Sequence, residues 1–171
     1  MGRVLASIGT LGILVGTPLF AELVALPDPG WKAAQIFKET CLATRGQGIE
    51  AAVAAILARP GVKEGQSLPA YGSGKPMRTF VDNEKREYLI RPGKKGRYGC
   101  FVLLETSGDT SNAQFSQSAK SALDRTQGLR PKPSKKKQIT YYEWSIDGSK
   151  DDIRLTPESD VGGILINLEV N

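Results

Sequence analysis

The chain has 171 residues, a formal charge of +5, two cysteines and no histidine; 40% of it is hydrophobic and 24% charged, the balance of an ordinary globular protein. That length suits one domain and buries enough surface for a true core. Without histidine there is no Ser-His or Cys-His nucleophile pair, no imidazole base and no His-bearing zinc site, and two cysteines cannot build a Cys-only zinc site.

The chain opens on Met1-Gly2-Arg3, then runs uncharged from Val4 to Ala21 through Leu, Ile, Val and Gly. A positive start, an apolar run and a small residue before Glu22 form the pattern of a secretory signal. Residues 1–21 are therefore expected to be a signal peptide, with Ala25 as the other cleavage candidate, and residues 22–171 one α+β domain. A retained membrane anchor is the alternative, since the run is at the short limit for a bilayer span. In an exported chain, Cys41 and Cys100 are expected to form a disulfide. Their wide spacing differs from the C-x-x-C of redox-active thiols.

Asp28-Pro29 opens a helix, with Asp28 as cap and Pro29 in the first turn. Ala33, Phe37 and Cys41 recur at i, i+4 and i+8, which puts Cys41 on its buried face. After Gly46-Gln47-Gly48, the residues Ile49, Ala52, Val53, Ile56 and Leu57 make a second apolar stripe, ended by Pro60-Gly61. Residues 62–76 read as a loop. Three strands are expected next: Met77–Asp82, Glu87–Arg91 and Tyr98–Glu105. In the third, Cys100, Val102 and Leu104 face one way and Phe101 and Leu103 the other, which marks a central strand.

Ser111 and Gln114 form a capping-box pattern at the start of a third helix, which Gly128 stops. Residues 129–137 read as a basic linker. Three more strands follow: Ile139–Ile146, then Asp152–Leu155 after the Asp147-Gly148 turn, then Ile164–Val170. The expected fold is α+β in the order ααβββαβββ: an antiparallel sheet of about six strands, with a helical hairpin and a third helix packed on it. Helix followed by three-strand meander occurs twice, without residue-level identity between the halves.

Few motifs carry chemistry. Gly72-Ser73-Gly74-Lys75 resembles the end of a phosphate loop, but Pro69 and Pro76 stand where glycine and a hydroxyl residue are needed. Ser134 and Lys137 match S-x-x-K only inside a lysine run. Asp147, Asp151, Asp152, Glu158 and Asp160 cluster near a hairpin and lack the register of a calcium loop; hydrophilic turns explain them. Tyr141 points away from Trp144, which suits it to the surface.

Two basic segments remain: Arg91, Lys94, Lys95 and Arg97, and Arg130, Lys132, Lys135, Lys136 and Lys137. If they meet at one end of the sheet, they form a surface for an anionic envelope polymer or an acidic protein. No aromatics interleave with these lysines and no nucleic-acid signature is present, so nucleic acid is not the expected partner. A membrane is a partner only if the N-terminal segment is retained.

Phe37-Lys38-Glu39-Thr40-Cys41, the Ala-rich helix after it, and Tyr98-Gly99-Cys100-Phe101-Val102 together resemble a loose set of small secreted proteobacterial proteins of unknown function. These pair an F-x-x-T-C segment with a mid-chain cysteine on a strand and a late tryptophan. The resemblance covers about two-thirds of the chain, implies a periplasmic or secreted location, and carries over no active site. The expectation is thus an exported binding or accessory protein of the cell envelope, with no catalytic constellation, metal or cofactor. The alternatives are a histidine-free enzyme using carboxylates and a membrane-anchored envelope component.

Overall fold

Asp28 caps the first helix through its side chain, which accepts a hydrogen bond from the Trp31 backbone N–H at 3.0 Å. The computed structural model describes residues 28–69, 75–106, 109–133, 141–157 and 163–171. The expected signal segment, the Gly72–Gly74 turn and Lys135–Lys137 lie outside them. Among the described residues no helix is long and apolar enough to cross a membrane.

Helix α1 (Pro29–Phe37) buries Ala33, Ala34, Ile36 and Phe37 and continues into a π-helical turn, Lys38–Leu42. The Ala43 N–H reaches back five residues to Lys38 O at 2.9 Å. The Thr40 and Thr44 hydroxyls donate to the carbonyls of Ile36 and Thr40, an alternative pairing for the last turns of this segment. Cys41 stays on the buried face and is disulfide-bonded to Cys100, with Cα atoms 5.6 Å apart. The bond closes a loop with a sequence separation of 59. Chain entropy alone makes such a crosslink worth about 4 kcal/mol. Helix α2 (Ile49–Leu57) follows Gly48, whose φ of 93° suits only glycine at this bend.

Among the described residues the sheet has eight antiparallel strands: β1 (Lys63–Glu64), β2 (Arg78–Val81), β3 (Glu87–Pro92), β4 (Tyr98–Leu104), β5 (Leu129–Pro131), β6 (Tyr142–Ile146), β7 (Asp152–Thr156) and β8 (Ile164–Val170). Helix α3 (Asp109–Asp124) lies between β4 and β5. The α+β class agrees with the sequence. The strand count and order do not: short edge strands β1 and β5 raise six to eight, and β5 occupies the start of what reads as a linker over 129–137. Each is two or three residues long, too short to show a period. Helix α3 starts at Asp109, so Ser111 lies inside the helix rather than at its cap.

In space the strands run β1-β2-β3-β4-β8-β7-β6-β5. Each half is thus a helical segment (α1 and α2 in the first, α3 in the second), a short edge strand and a three-strand meander, and the two halves join through β4 and β8 at the centre. The repeat suggested by element order is a repeat of topology. All seven residues of β4 are buried, as its two apolar faces require of a central strand.

The helices cover one face. There Phe80, Tyr88, Ile90, Cys100, Val102, Trp144, Ile153, Leu155, Ile166 and Leu168 pack against Phe37, Ile56, Ala119 and Leu123. Helices α1 and α3 touch closely at Gly30, where a Cβ would lie 1.9 Å from the Phe115 carbonyl oxygen. Trp144 buries its ring and donates its indole N–H to Asp124 at 3.0 Å. Tyr141, on the opposite side, is exposed beneath the Arg154 guanidinium.

Candidate functional site: a basic groove at the β3–β4 turn

The β3–β4 hairpin closes through residues 93–97. The Gly93 N–H donates to Arg97 O at 2.8 Å, and Lys95 and Gly96 both take positive φ, 55° and 79°. Beside it lies an open groove of about 380 Å³, lined by Arg91, Pro92, Gly93, Lys94, Arg97, Tyr98, Gly99, Glu169, Val170 and Asn171. Three of the four cations singled out in this segment therefore line one groove. The fourth, Lys95, is exposed on the turn itself. Among the described residues, Lys94, Lys95 and Arg97 make no salt bridge.

Arg91 is held. Strand register sets Arg91 opposite Gly99, and Gly99 opposite Glu169, in one row on the face away from the helices. Gly99 has no side chain to intervene, so the Arg91 guanidinium reaches across β4 and donates to the Glu169 carboxylate. A Cβ at position 99 would sit 3.3 Å from Glu169 Oε2 and 2.7 Å from the Phe101 ring. Arg91 also lies over that ring, 5.3 Å from its centroid. The row continues to Asp152 on β7, so a second carboxylate follows Glu169.

The groove's inner wall is fixed from below. Tyr98 is buried and its hydroxyl donates a long hydrogen bond, 3.5 Å, to Thr44 O at the end of the helical segment. Burial pushes the Tyr98 hydroxyl above its ordinary pKa, against the opposing pull of that bond. The Asn171 N–H donates to Asp151 at 2.9 Å, and Asp151 faces Arg45 at 3.5 Å. The end of β8 is thereby tied to the β6–β7 turn.

The second basic segment is elsewhere and otherwise employed. Strand β5 lies five strand spacings from β3, about 24 Å across the sheet. Arg130 pairs with Asp147 at 2.6 Å. Lys132 pairs with Asp152 at 2.6 Å and faces Glu143 at 3.8 Å, while Arg154 reaches the same Glu143 at 3.3 Å. The described members of the two segments do not converge. The carboxylates Asp147, Asp151 and Asp152 each answer a cation, and Glu158 and Asp160 lie outside the described residues. Among the described residues no group of three or more His, Cys, Asp or Glu side chains could hold a metal ion.

Glu169 and Asn171 are groove residues that the sequence alone does not reveal. Alternation along β8 puts Glu169 on the face away from the core, but only the β4–β8 register brings it to Arg91. The disulfide fits an oxidising extracellular or periplasmic location. No family model, curated protein or solved structure matches this chain.

Proposed function

We propose that this is an exported binding or accessory protein of the cell envelope that holds an anionic polymer at the β3–β4 turn. One observation carries this reading: Lys94 and Arg97 line a groove, Lys95 stands beside them, and no described carboxylate pairs with any of the three. Cations without partners attract mobile anions, and a chain that meets several of them releases as many counterions. A polymer suits the groove better than an acidic protein does. Protein interfaces rest on desolvated aromatic and aliphatic anchors, whereas the only aromatic residue of this lining, Tyr98, is already buried.

Export accounts for the other features together: a signal-like segment at residues 1–21 and a disulfide that needs an oxidising compartment. The test is retention on immobilised polyphosphate at low salt. Wild-type protein should be retained, and Lys94→Glu with Lys95→Glu and Arg97→Glu should elute at least about tenfold more weakly bound. Equal retention of the two proteins would contradict the proposal.

A further inference from the structure

We infer that Glu169 decides which anions the groove accepts: it occupies Arg91 and so restricts the groove to anionic groups linked in a chain. The inference rests on the binding function proposed above, and concerns how selective that site is.

Arginine is the side chain whose planar fork pairs two-pronged with a single phosphate or carboxylate. Arg91 is the arginine that this structure fixes in the groove wall. Glu169 binds its guanidinium from β8, and the Phe101 ring supports it from beneath. A lone small anion must therefore displace a carboxylate already in place, or settle for Lys94, Lys95 and Arg97. Those three are exposed, and a single exposed ion pair contributes little. A chain of linked charges gains from all three at once, because the second and third contacts form at high effective concentration.

The surroundings limit its path as well. Beyond Glu169 the same row presents Asp152, itself paired with Lys132, so among the described residues the row on that side offers an anion no unpaired cation. A polyanion is left with the route over the turn, past Arg97, Lys95 and Lys94. Glu169 marks the boundary of that route, and it can do so because Gly99 leaves the gap through which Arg91 and Glu169 meet.

The experiment compares long-chain polyphosphate with orthophosphate on the full chain. Three cations give wild type a slope of about −2 to −3 in log affinity against log salt. At constant ionic strength, orthophosphate should not displace the polymer from wild type. In Glu169→Gln the freed Arg91 should steepen the slope by about 0.8 and let orthophosphate compete. The double variant Arg91→Gln with Glu169→Gln guards against a folding defect, because it removes the pair without changing net charge. It should bind polyphosphate like wild type, whereas Arg97→Gln should flatten the slope by about 0.8.

If Glu169→Gln matches wild type in slope and in orthophosphate competition, the inference is wrong while the binding site stands. It is equally wrong if the double variant loses as much as Arg97→Gln. If wild type itself is not retained, or the triple reversal at Lys94, Lys95 and Arg97 changes nothing, the site itself is wrong and the inference falls with it.

Discussion

Strand β3 is flanked by two turns of the same length and closing bond and opposite electrostatics, the first with one left-handed residue and the second with two. Residues 82–86 close with the Asp82 N–H on Arg86 O at 3.2 Å, and residues 93–97 close with the Gly93 N–H on Arg97 O at 2.8 Å. Each has five residues, ends in arginine, and contains a lysine in the left-handed region, Lys85 and Lys95. They differ at the first position. Asp82 accepts from the backbone N–H groups of Glu84 and Arg86, from the Arg86 guanidinium at 2.7 Å and from the Tyr88 hydroxyl at 2.9 Å. Gly93 offers Arg97 no side chain at all. In the first turn Arg86 is buried and spent; in the second Arg97 is exposed and, among the described residues, unpaired. In these two turns the availability of the closing arginine is thus set by what stands four positions before it, and a count of lysines and arginines does not reveal it.

The largest effect should come from breaking the closed turn. Asp82→Ala removes the buried partner of Arg86 and leaves it only the exposed Glu84 carboxylate at 2.8 Å, and thermal or denaturant unfolding should show a loss of up to about 3–5 kcal/mol. The same contact has a pH signature. Burial is the strongest single influence on Asp82 and pushes its carboxyl upward. The hydrogen bonds from Arg86 and Tyr88 together with the Arg86 charge outweigh it, so the folded pKa lies below the ordinary value. A lowered carboxyl pKa stabilises the fold above the unfolded pKa, near 4, and that stability fades as pH falls through the folded value. Wild type should therefore lose stability on acidification below about pH 4, and Asp82→Ala should show a shallower loss. Tyr88 acts at the other extreme: burial first, then its bond to Asp82, raises its pKa. Its contribution is present below about pH 10 and is lost as pH rises further.

A smaller effect should separate the open turn from the cations of β5. Lys132→Ala removes the partner of Asp152 and a neighbour of Glu143, leaving those carboxylates less compensated. We expect a stability loss of up to about 1 kcal/mol by calorimetry, with polyphosphate retention unchanged. The smallest effect should be at the turn itself. Lys94→Ala and Lys95→Ala touch no described partner, so stability should stay within about 0.5 kcal/mol while retention falls. A pattern with the two readouts exchanged between these sites would break the comparison.

Much of this arrangement is legible in residue order, and the illegible part has a common cause. The helical spacing of Ala33, Phe37 and Cys41, and the alternation around Cys100, are enough to anticipate the helix-to-sheet disulfide, because both patterns are local. The two apolar faces of Tyr98–Leu104 likewise mark a central strand. Sheet order is different: nothing in either meander says that β4 pairs with β8. Without that pairing, Glu169 cannot be assigned to Arg91, and the distance from Lys94 to Arg130 cannot be known. Strands β1 and β5 escape notice because two or three residues carry no period. The ion pairs of Arg130 and Lys132 escape it because they depend on cross-strand register. Their partners, Asp147 and Asp152, read as ordinary turn residues.

Binding at the β3–β4 turn is a matter of location, so the most direct measurement is a map of backbone amide shifts as polyphosphate is titrated into the labelled protein. Perturbed amides should cluster at residues 93–99 and 169–171, with the amides of Arg130, Lys132 and Glu143 unmoved. Shifts centred on β5 and β6, with the β3–β4 turn silent, would contradict binding at this turn.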